Sequence, residues 1–406
     1  MTVSQAPLAG VRVVDFGQYI AAPGAAQVLA DLGAEVVKVE QPGGDPARQV
    51  GSYGEAMLRC YSRRKRSIAL DLKNPAGAEV ARRLVASADV VVQNLRPGVL
   101  ERLGFGPARV RELNPRVVYL SVTGYGSAGP SKGRPGYDIA AQAESGIMAI
   151  TGEADGDPQR VGFTVVDAAA ASSAAQAILA ALFRRERTGK GDDIEVSLID
   201  VAIHLQGTVW AEYEQTGVVP ARKGNGQPTL APAADLVRTK DGHIVVSAYT
   251  ESHWRRLCEL LGRPELADDA RFADNAARVA NREALARVLA DALAACTSEE
   301  AVALLTRGGV VAGAVRSHDQ VRNAPDVVAG GCLVPGTTGD GTGYHVPVLP
   351  YRLAAWPVTD AGVPPRMAEH TGEILRELGY SDRAIGELAE AGAVAAKPTA
   401  EAAVSG

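Results

Sequence analysis

Short apolar segments alternate with helical segments along the first third of the chain, and this alternation limits the fold more than any other feature. VRVVDF (11–16) is followed by a helix with Pro23 in its first turn and Gly33 at its end, and then by AEVVKVE (34–40). A strand, a helix and a strand within about 30 residues predict a right-handed βαβ unit with parallel strands. The alternation continues with strands over 67–72, 88–94 and 116–122 and helical stretches over 75–86 and 97–113. The sequence therefore predicts an α/β fold with a doubly wound, Rossmann-like parallel sheet.

The remainder of the chain predicts a second, smaller domain. Residues 1–216 are predicted to form the large α/β domain, and residues 217–232, rich in Gly and Pro, to form a linker or functional loop. Residues 233–330 are predicted to form a small α+β domain, which begins with a hairpin that turns at Lys240-Asp241-Gly242. Residues 331–406 are predicted to return to the large domain.

Composition and charge exclude several classes of protein. The net charge of −5 argues against a general nucleic-acid binder, which would carry a basic face. The four cysteines are far apart, and the six histidines form no H-x-x-x-H pair, so no metal site is expected. The chain has neither the pattern of a signal peptide nor an uncharged apolar stretch of about 18 residues. We therefore expect a reduced, cytoplasmic protein that does not span a membrane.

One glycine motif favours a different function at first sight. Gly124-x-Gly126-x-x-Gly129 has the spacing of a loop that binds the pyrophosphate of a dinucleotide, as in an NAD-dependent oxidoreductase. In that fold, however, the motif follows the first strand and opens directly into a helix. Here it follows the last strand of the run, and the PSKGRPGYD that comes after it contains two prolines and two glycines. We interpret these glycines as turn residues at the mouth of a site.

Asp167 is the first candidate for a catalytic group. The sequence predicts an apolar strand that ends at Asp167, followed by a long Ala-rich helix to about Arg187, closed by Gly189. Asp167 is then either an N-cap, worth about 1 kcal/mol of helix stability, or an ionised carboxylate held by the helix N-terminus at the open edge of the sheet. Such a carboxylate is able to act as a nucleophile toward an activated acyl group.

Two further segments have both a structural and a functional interpretation. Tyr137 and Asp138 follow the glycine motif; Asp138 is either an N-cap or, with the phenol, a group that orients a substrate carboxylate or water. Gly224-Asn225-Gly226, followed by Gln227, is either a plain linker or a mobile loop that closes over a reactive intermediate and excludes water.

The densest basic run, Arg63 to Arg66, also has two interpretations. Such a run is commonly a solvated face. It also lies just before the strand at 67–72, so it is placed to meet a ligand with several phosphates, together with Arg48, Arg96 and Arg102.

Taken together, the segments resemble a class III (family III) CoA-transferase. This is the group of the formyl-CoA:oxalate and carnitine CoA-transferases, with α-methylacyl-CoA racemase as a divergent branch. The resemblance covers most of the chain in the family's order, and as a set the segments are highly specific. They are LAGVRVVDFGQYIAAPGAAQVLADLGAEVVKVEQPGGD (8–45), RSIALDLKNPAG (66–77), VVQNLRPGVLERLGFG (91–106), NPRVVYLSVTGYGSAGP (114–130), GYDIAAQAESGIMAITG (136–152), ERTGKGDDIEVSLID (186–200) and GRPELADDARFADNAARVANREAL (262–285).

The resemblance implies an acyl-CoA:carboxylate CoA-transferase with Asp167 as its nucleophile. Its ping-pong reaction passes through an acyl-aspartyl anhydride and an aspartyl-CoA thioester. CoA and acyl-CoA are then substrates, carboxylic acids are the other substrates, and no tightly bound cofactor is expected. The resemblance also implies an obligate homodimer whose protomers thread through each other as interlocked rings.

The resemblance carries over to the following site residues. Contacts with CoA are implied for Leu70, near the adenine, and for Lys73, Asn94, Leu95 and Arg102. The loop that shields the intermediate corresponds to Gly224-Asn225-Gly226-Gln227. The resemblance also places Tyr137 and Asp138 beside the nucleophile.

Two positions depart from relatives within the family. Ile20 stands where the formyl-CoA:oxalate enzyme has a Gln that contacts substrate, which argues against oxalate or formate as the acid. Tyr137 stands where the racemase branch has a His, which disfavours the alternative of an acyl-CoA racemase or isomerase.

Overall fold

The computed structural model describes residues 6–226 and 233–395. The chain forms two compact units. The first contains the residues up to Ser145, Val161–Thr208 and the residues from Pro325 onward, and the second contains Gly146–Arg160 and Val209–Ala324. Residues 146–160 thus belong to the second unit although they lie between segments of the first. Within that unit the backbone N–H of Gly224 donates to the carbonyl of Gly152 at 3.0 Å.

A parallel sheet organises the first unit. Within the described residues its order is β3-β2-β1-β4-β5-β6, and every neighbouring pair is parallel. The strands are β1 Arg12–Asp15, β2 Glu35–Glu40, β3 Arg66–Ala69, β4 Val90–Gln93, β5 Val118–Thr123 and β6 Asp192–Ser197. This arrangement confirms the predicted α/β fold with a Rossmann-like sheet. The order reverses between β1 and β4, where sheets of this kind bind their ligands.

Helices cover the sheet and fill the second unit. They are α1 Ala21–Asp31, α2 Gly51–Tyr61, α3 Pro75–Ala86, α4 Val99–Arg102, α5 Pro107–Leu113, α6 Asp138–Glu144, α7 Ile147–Ile150, α8 Val165–Thr188, α9 Leu198–His204, α10 Gly207–Thr216, α11 Glu251–Leu260, α12 Asn275–Ala280, α13 Arg282–Leu293, α14 Ser298–Arg307, α15 His318–Asn323, α16 Pro325–Gly330, α17 Thr371–Glu377 and α18 Asp382–Glu390. Short 3₁₀ turns occur at Pro46–Gln49 and Pro264–Ala267.

Both faces of the parallel sheet are buried. Side chains alternate between the two faces along a strand, so Val14, Val37, Val91 and Tyr119 share one face. They pack with α3 in a hydrophobic core. Helices α1 and α8 pack against each other and against β5 on the other side. The carboxyl ends of the strands therefore remain as the open edge of the sheet.

The start of α8 differs from the sequence-based expectation. The segment directly before Asp167 is not a strand. Residues 161–164 are irregular, α8 begins at Val165, and Asp167 is the third residue of the helix. Thr164 is the N-cap residue and forms no side-chain cap. The predicted strand was wrong because the apolar run continues into the first turn of the helix, whose amides are capped by a side chain from another segment.

The second unit is built on an antiparallel sheet. Its strands are β7 Ala234–Arg238, β8 His243–Ser247 and β9 Val311–Ala314, in the order β7-β8-β9. The hairpin predicted at 240–242 is confirmed. Trp254, Leu257, Phe272 and Leu289 are buried in the core of this unit. In the first unit β10 Leu333–Thr337 and β11 Gly343–Pro347 form a separate antiparallel pair.

Helix α8 is apolar along most of its length. Among the described residues it alone is long and apolar enough to cross a membrane by length and composition, with 44% of its most apolar window buried. The core helix of a globular protein meets the same criterion, so length and composition do not distinguish a membrane-spanning helix from a core helix.

Candidate active site

A cavity of about 300 Å³ opens at the carboxyl ends of the central strands. It is lined by residues 18–21 after β1, 94–97 and 99 after β4, 122–124 at the end of β5, residues 134–137, Asp167 and Leu198. It therefore lies at the point where the strand order reverses. Of the predicted site residues, the fold brings Tyr137, Asn94 and Leu95 into one cavity with Asp167.

Asp138 caps the helix that carries Asp167. Its Oδ2 accepts hydrogen bonds from the backbone N–H of Val166 at 2.8 Å and of Asp167 at 3.2 Å. The side-chain amide of Gln142 donates to its Oδ1. Both N-cap predictions therefore need correction: Asp167 does not cap α8, and Asp138 caps α8 rather than its own helix. Free N–H groups at a helix start stabilise negative charge, and here Asp138 takes them.

The Asp167 carboxyl group consequently lacks the stabilisation expected from the helix end. Burial, followed by the negative charge of Asp138, raises the pKa of Asp167 from 3.8 to about 7. The group is half-buried and faces the cavity. A perturbed carboxyl group in a cleft is a common mark of an active site.

Three tyrosines surround the nucleophile candidate. Tyr137 is 63% exposed, and its ring meets that of Tyr19 edge to face, with centroids 6.4 Å apart. Tyr19 has a φ of 61°, a backbone conformation that is strained in residues other than glycine. Burial, Cys60 and the charge of Asp167 raise the pKa of Tyr61 to about 12, so its phenol is neutral at pH 7. The sequence analysis identified Tyr137 but missed Tyr19 and Tyr61, because no motif marks them.

Buried ion pairs hold the loop that follows β1. The Lys38 ammonium group lies 2.7 Å from the carboxylate of Asp45 and donates to the carbonyl of Gly17 at 2.9 Å. The Lys65 ammonium group lies 2.8 Å from the carboxylate of Asp15, whose other oxygen accepts the N–H of Gly17. All four charged side chains are almost fully buried. The loop that carries Tyr19 and Ile20 is thus fixed from beneath.

The basic run 63–66 is divided between the interior and the surface. Arg63 is buried against Asp31 and Lys65 against Asp15. Arg64 is exposed and pairs with Asp360, and Arg66 pairs with Glu35, Glu373 and Glu377. Arg48 pairs with Glu40. Each of these cations is thus paired with a carboxylate of the chain itself.

The predicted CoA contacts occupy different environments. Leu95 lines the cavity, and Asn94 uses both ends of its amide to bind the backbone of Gln18, at 2.8 and 2.9 Å. Lys73 and Arg102 are exposed. Leu70 is 1% exposed and packed in the core, and its backbone forms a bridge with Val394. The roles of these five residues toward CoA stay predictions.

The predicted glycine loop lies in the second unit. Gly224 has a φ of 69°, and a Cβ placed there would meet a carboxylate oxygen of Glu153 at 3.0 Å. A Cβ on Gly226 would meet the Asp235 carboxylate at 2.6 Å, so a side chain there requires that carboxylate to move. At Gly224 the positive φ disfavours other residues. Gln227 lies outside the described residues. That this loop covers Asp167 stays a prediction.

One glycine of the misplaced motif, Gly124, lies at the mouth of the cavity. An ideal Cβ on Gly124 would lie 2.7 Å from the Cα of Gly136, so the two backbone segments cross in close contact. Gly124 and Gly136 both line the cavity. Gly126 and Gly129 have φ values of 78° and are followed by turns, not by a helix, but they do not line the cavity. The interpretation as turn residues fits all three motif glycines, and the position at the mouth of a site fits Gly124.

The described residues contain no group of three His, Cys, Asp or Glu side chains placed to hold a metal ion. The chemistry that the described groups support is that of a partly buried carboxylate, neutral phenols and backbone amides. A carboxylate of this kind suits nucleophilic attack on an acyl group.

Comparison with known proteins identifies relatives along almost the whole chain. The sequence profile of CoA-transferase family III matches residues 8–371. A probable fatty acyl-CoA transferase of Mycobacterium tuberculosis is 40% identical, over 91% of this chain and 97% of the relative. Human succinyl-CoA:glutarate CoA-transferase is 36% identical, over 96% of this chain and 90% of the relative. A crystal structure of a CaiB/BaiF family protein from Brucella suis superimposes with a TM-score of 0.84 at 35% identity, covering 92% of this chain and 99% of that one.

Proposed function

Because this chain belongs to CoA-transferase family III, we propose that it moves CoA from a donor acyl-CoA to an acceptor carboxylic acid through covalent intermediates on Asp167. The observation that supports this most is the position of Asp167, half-buried at the edge of a cavity where the strand order reverses. The pKa of about 7 leaves a substantial ionised fraction at neutral pH, and that fraction rises as the pH passes through 7.

In the first half-reaction a carboxylate oxygen of Asp167 attacks the thioester carbonyl of the donor. The C–S bond breaks, CoA leaves as a thiolate, and an acyl-aspartyl anhydride remains. The thiolate then attacks Cγ of Asp167, the anhydride C–O bond breaks, and the donor acid leaves as a carboxylate. The product is an aspartyl-CoA thioester, and no proton or water is consumed.

In the second half-reaction the steps run in reverse order with the acceptor. The acceptor carboxylate attacks the aspartyl thioester and displaces the CoA thiolate, and the thiolate then attacks the acyl carbonyl of the new anhydride. The acceptor leaves as an acyl-CoA, and Asp167 returns as a carboxylate. The thioester energy is kept at each step provided that water stays out of the site.

The neighbours of Asp167 have distinct roles in this proposal. Asp138 holds the start of α8. Burial and the negative charge of Asp138 together keep the pKa of Asp167 high, and a carboxylate of higher pKa is the stronger nucleophile. Tyr137, which lines the cavity, and Tyr61, which is close enough to feel the charge of Asp167, are proposed to donate hydrogen bonds to the reacting carbonyl. Lys73, Asn94, Leu95, Arg102 and Leu70 are proposed to bind CoA. Gly224, Gly226 and Gln227 are proposed to shield the anhydride.

The experiment that tests the proposal is intact-protein mass spectrometry after mixing the protein with acyl-CoA donors, with hydroxylamine added to half of each sample. We expect a CoA adduct that peptide mapping places on Asp167 and that hydroxylamine converts to a hydroxamate. Asp167→Ala removes the adduct and the turnover. Absence of an adduct with every donor, despite measurable CoA binding, contradicts the assignment.

A matched control is provided by Asp200. It occupies the same third position of the next helix, α9, but is exposed. Asp200→Ala should retain the adduct. If Asp200→Ala and Asp167→Ala lose it equally, the loss reflects damage to the fold and not removal of a nucleophile.

We further propose that the enzyme is a cytoplasmic homodimer of the interlocked kind. Large apolar side chains are exposed within each unit, among them Phe183, Ile203 and Leu205 in the first and Trp210, Val218 and Val219 in the second. Large exposed apolar patches on soluble proteins commonly mark sites of association. Burial against a second copy accounts for them.

A further inference from the structure

Part of the wall of the cavity that contains Asp167 is apolar or phenolic, although Gln18 and other polar residues also line the cavity. On the side of β1 the cavity is lined by Tyr19, Ile20 and Ala21, and Leu198 lines it after β6. Ile20 is 4% exposed and packs with Ala47 and Met57 in a small hydrophobic cluster beneath the loop. An acyl chain joined to Asp167 in the anhydride would face hydrocarbon and aromatic surface on this side.

The cations packed beneath the loop that follows β1 are already paired with carboxylates of the protein itself. Lys38 pairs with Asp45, and Lys65 pairs with Asp15, all almost fully buried. Arg48 pairs with Glu40. A buried cation that is neutralised by a buried anion has little attraction left for a substrate carboxylate, and separating such a pair is costly.

Of the described residues that line the cavity, two are cations, Arg134 and Arg96. Arg134 forms hydrogen bonds with both carboxylate oxygens of Glu144, at 2.9 and 2.6 Å, and lies over the ring of Tyr125. Arg96 follows β4 directly after Asn94 and Leu95, the segment proposed to bind CoA. We assign its charge to the phosphates of CoA, because guanidinium groups bind phosphate well.

Two carboxyl groups lie close together on this side of the cavity. Asp167 lines the cavity, and Asp138 lies within hydrogen-bond distance of the first turn of the same helix. A dicarboxylic acyl group would bring a third carboxylate to this place. Among the described lining residues it could meet only Arg134, which is paired with Glu144, and Arg96, which lies in the segment proposed to bind CoA. Burying a charge without a partner is costly, whereas an apolar chain of the same length gains from the wall.

Resting on the proposed function, we propose that the acyl groups exchanged by this enzyme are those of monocarboxylic acids with an apolar carbon chain, and that Tyr19 and Ile20 select against a second carboxylate. The loop that carries both residues is fixed by the buried ion pairs beneath it. The selection is thus built into the rigid part of the first unit.

A matched pair of thioesters tests the inference. Butyryl-CoA and succinyl-CoA have acyl chains of the same length and differ in the terminal carboxylate. With one common acceptor, we expect kcat/KM to be at least about tenfold higher for butyryl-CoA. Hexanoyl-CoA and adipoyl-CoA give a second pair with the same expectation. Equal or higher kcat/KM for the dicarboxylic member of both pairs overturns the inference.

A variant tests the residue assignment. Tyr19 is only half-buried, so Tyr19→Arg places a cation at the wall with less disturbance than a change at Ile20. It should lower the butyryl-to-succinyl ratio of kcat/KM at least about fivefold, whereas Tyr19→Phe should keep the ratio of the wild type. An unchanged ratio in Tyr19→Arg, with an intact CoA adduct, overturns the role of Tyr19.

The same samples separate the two proposals. An adduct on Asp167 that forms faster from succinyl-CoA leaves the transferase mechanism standing and overturns the specificity alone. No adduct and no turnover with any of the four thioesters overturns the transferase mechanism, and the specificity with it.

Discussion

At the scale of single residues, Asp138 and Asp167 show how one helix end sets the properties of two carboxyl groups. Asp138 receives both of the N–H groups that a helix start offers at Val166 and Asp167. Asp167 receives neither and carries the raised pKa. The assignment of Asp167 as a candidate nucleophile came from the sequence. The sequence analysis, however, expected the helix end to stabilise Asp167, whereas it stabilises Asp138.

The raised pKa predicts a cost in stability. In the unfolded chain an Asp titrates near 3.9, and in the folded protein Asp167 titrates near 7. The folded state therefore gains most from this group below the unfolded pKa and loses that gain as the pH rises through 7. A shift of this size corresponds to at most about 4 kcal/mol.

Asp167→Asn removes this titration. We expect the variant to be more stable than the wild type in urea unfolding at pH 8, and the gain to be smaller at pH 5.5, with the protein concentration held fixed. Asp200→Asn, the same change at the exposed position of α9, should show no such dependence. A gain that is the same at both pH values contradicts burial of an ionised carboxylate at Asp167.

At the scale of elements, local signals predicted some segments well. Asn74 and Pro75 mark the start of α3: the Asn74 side chain accepts the N–H of Ala76, Pro75 fills the first position, and the helix runs from Pro75 to Ala86 as expected. The predicted strand before Asp167 failed because the capping group of α8 comes from α6, about thirty residues earlier in the chain. The sequence analysis also contained no helix over Asp382–Glu390, although Ser381 caps it.

The crossing of Gly124 and Gly136 allows a test at this scale. Gly124→Ala would place a Cβ 2.7 Å from the Cα of Gly136, so the two segments must separate at the mouth of the cavity. We expect a loss of about 1–3 kcal/mol in the free energy of unfolding and a higher KM for the acyl-CoA. Gly133→Ala is the control, because a Cβ there meets nothing within 4 Å. Equal behaviour of the two variants contradicts the close contact.

At the scale of the whole molecule, the exposed apolar side chains predict association. Phe183 lies on α8 and is 67% exposed. The wild type should have the mass of a dimer in light scattering. Interlocked protomers cannot separate while they are folded, so burial of Phe183 between two copies is tested by stability. Phe183→Asp should lower the free energy of unfolding in urea, because a buried unpaired carboxylate is costly, and Phe183→Leu should lower it less. A monomeric wild-type protein, or a Phe183→Asp variant as stable as the wild type, contradicts the proposed interface.

The strand order also belongs to this scale. The order β3-β2-β1-β4-β5-β6 is the one found in dinucleotide-binding folds. The turn after β1, however, carries Gly17-Gln18-Tyr19-Ile20 and no glycine fingerprint. Architecture alone would therefore suggest a nicotinamide enzyme, whereas the residues at the strand ends and the family relationship support a CoA-transferase.

The sequence by itself determined the class of fold, most of the strands, the hairpin at 240–242 and the family, because these depend on local periodicity, turn residues and ordered motifs. Only the tertiary structure decided that Arg63 and Lys65 pair inside the first unit, that Asp138 caps α8, and that Tyr19 and Tyr61 stand beside Asp167. Each of these depends on contacts between residues that are distant in the chain. Charge pairing, capping from another segment and burial leave no pattern in the neighbouring sequence, and they set both the pKa of Asp167 and the character of the cavity wall beside it.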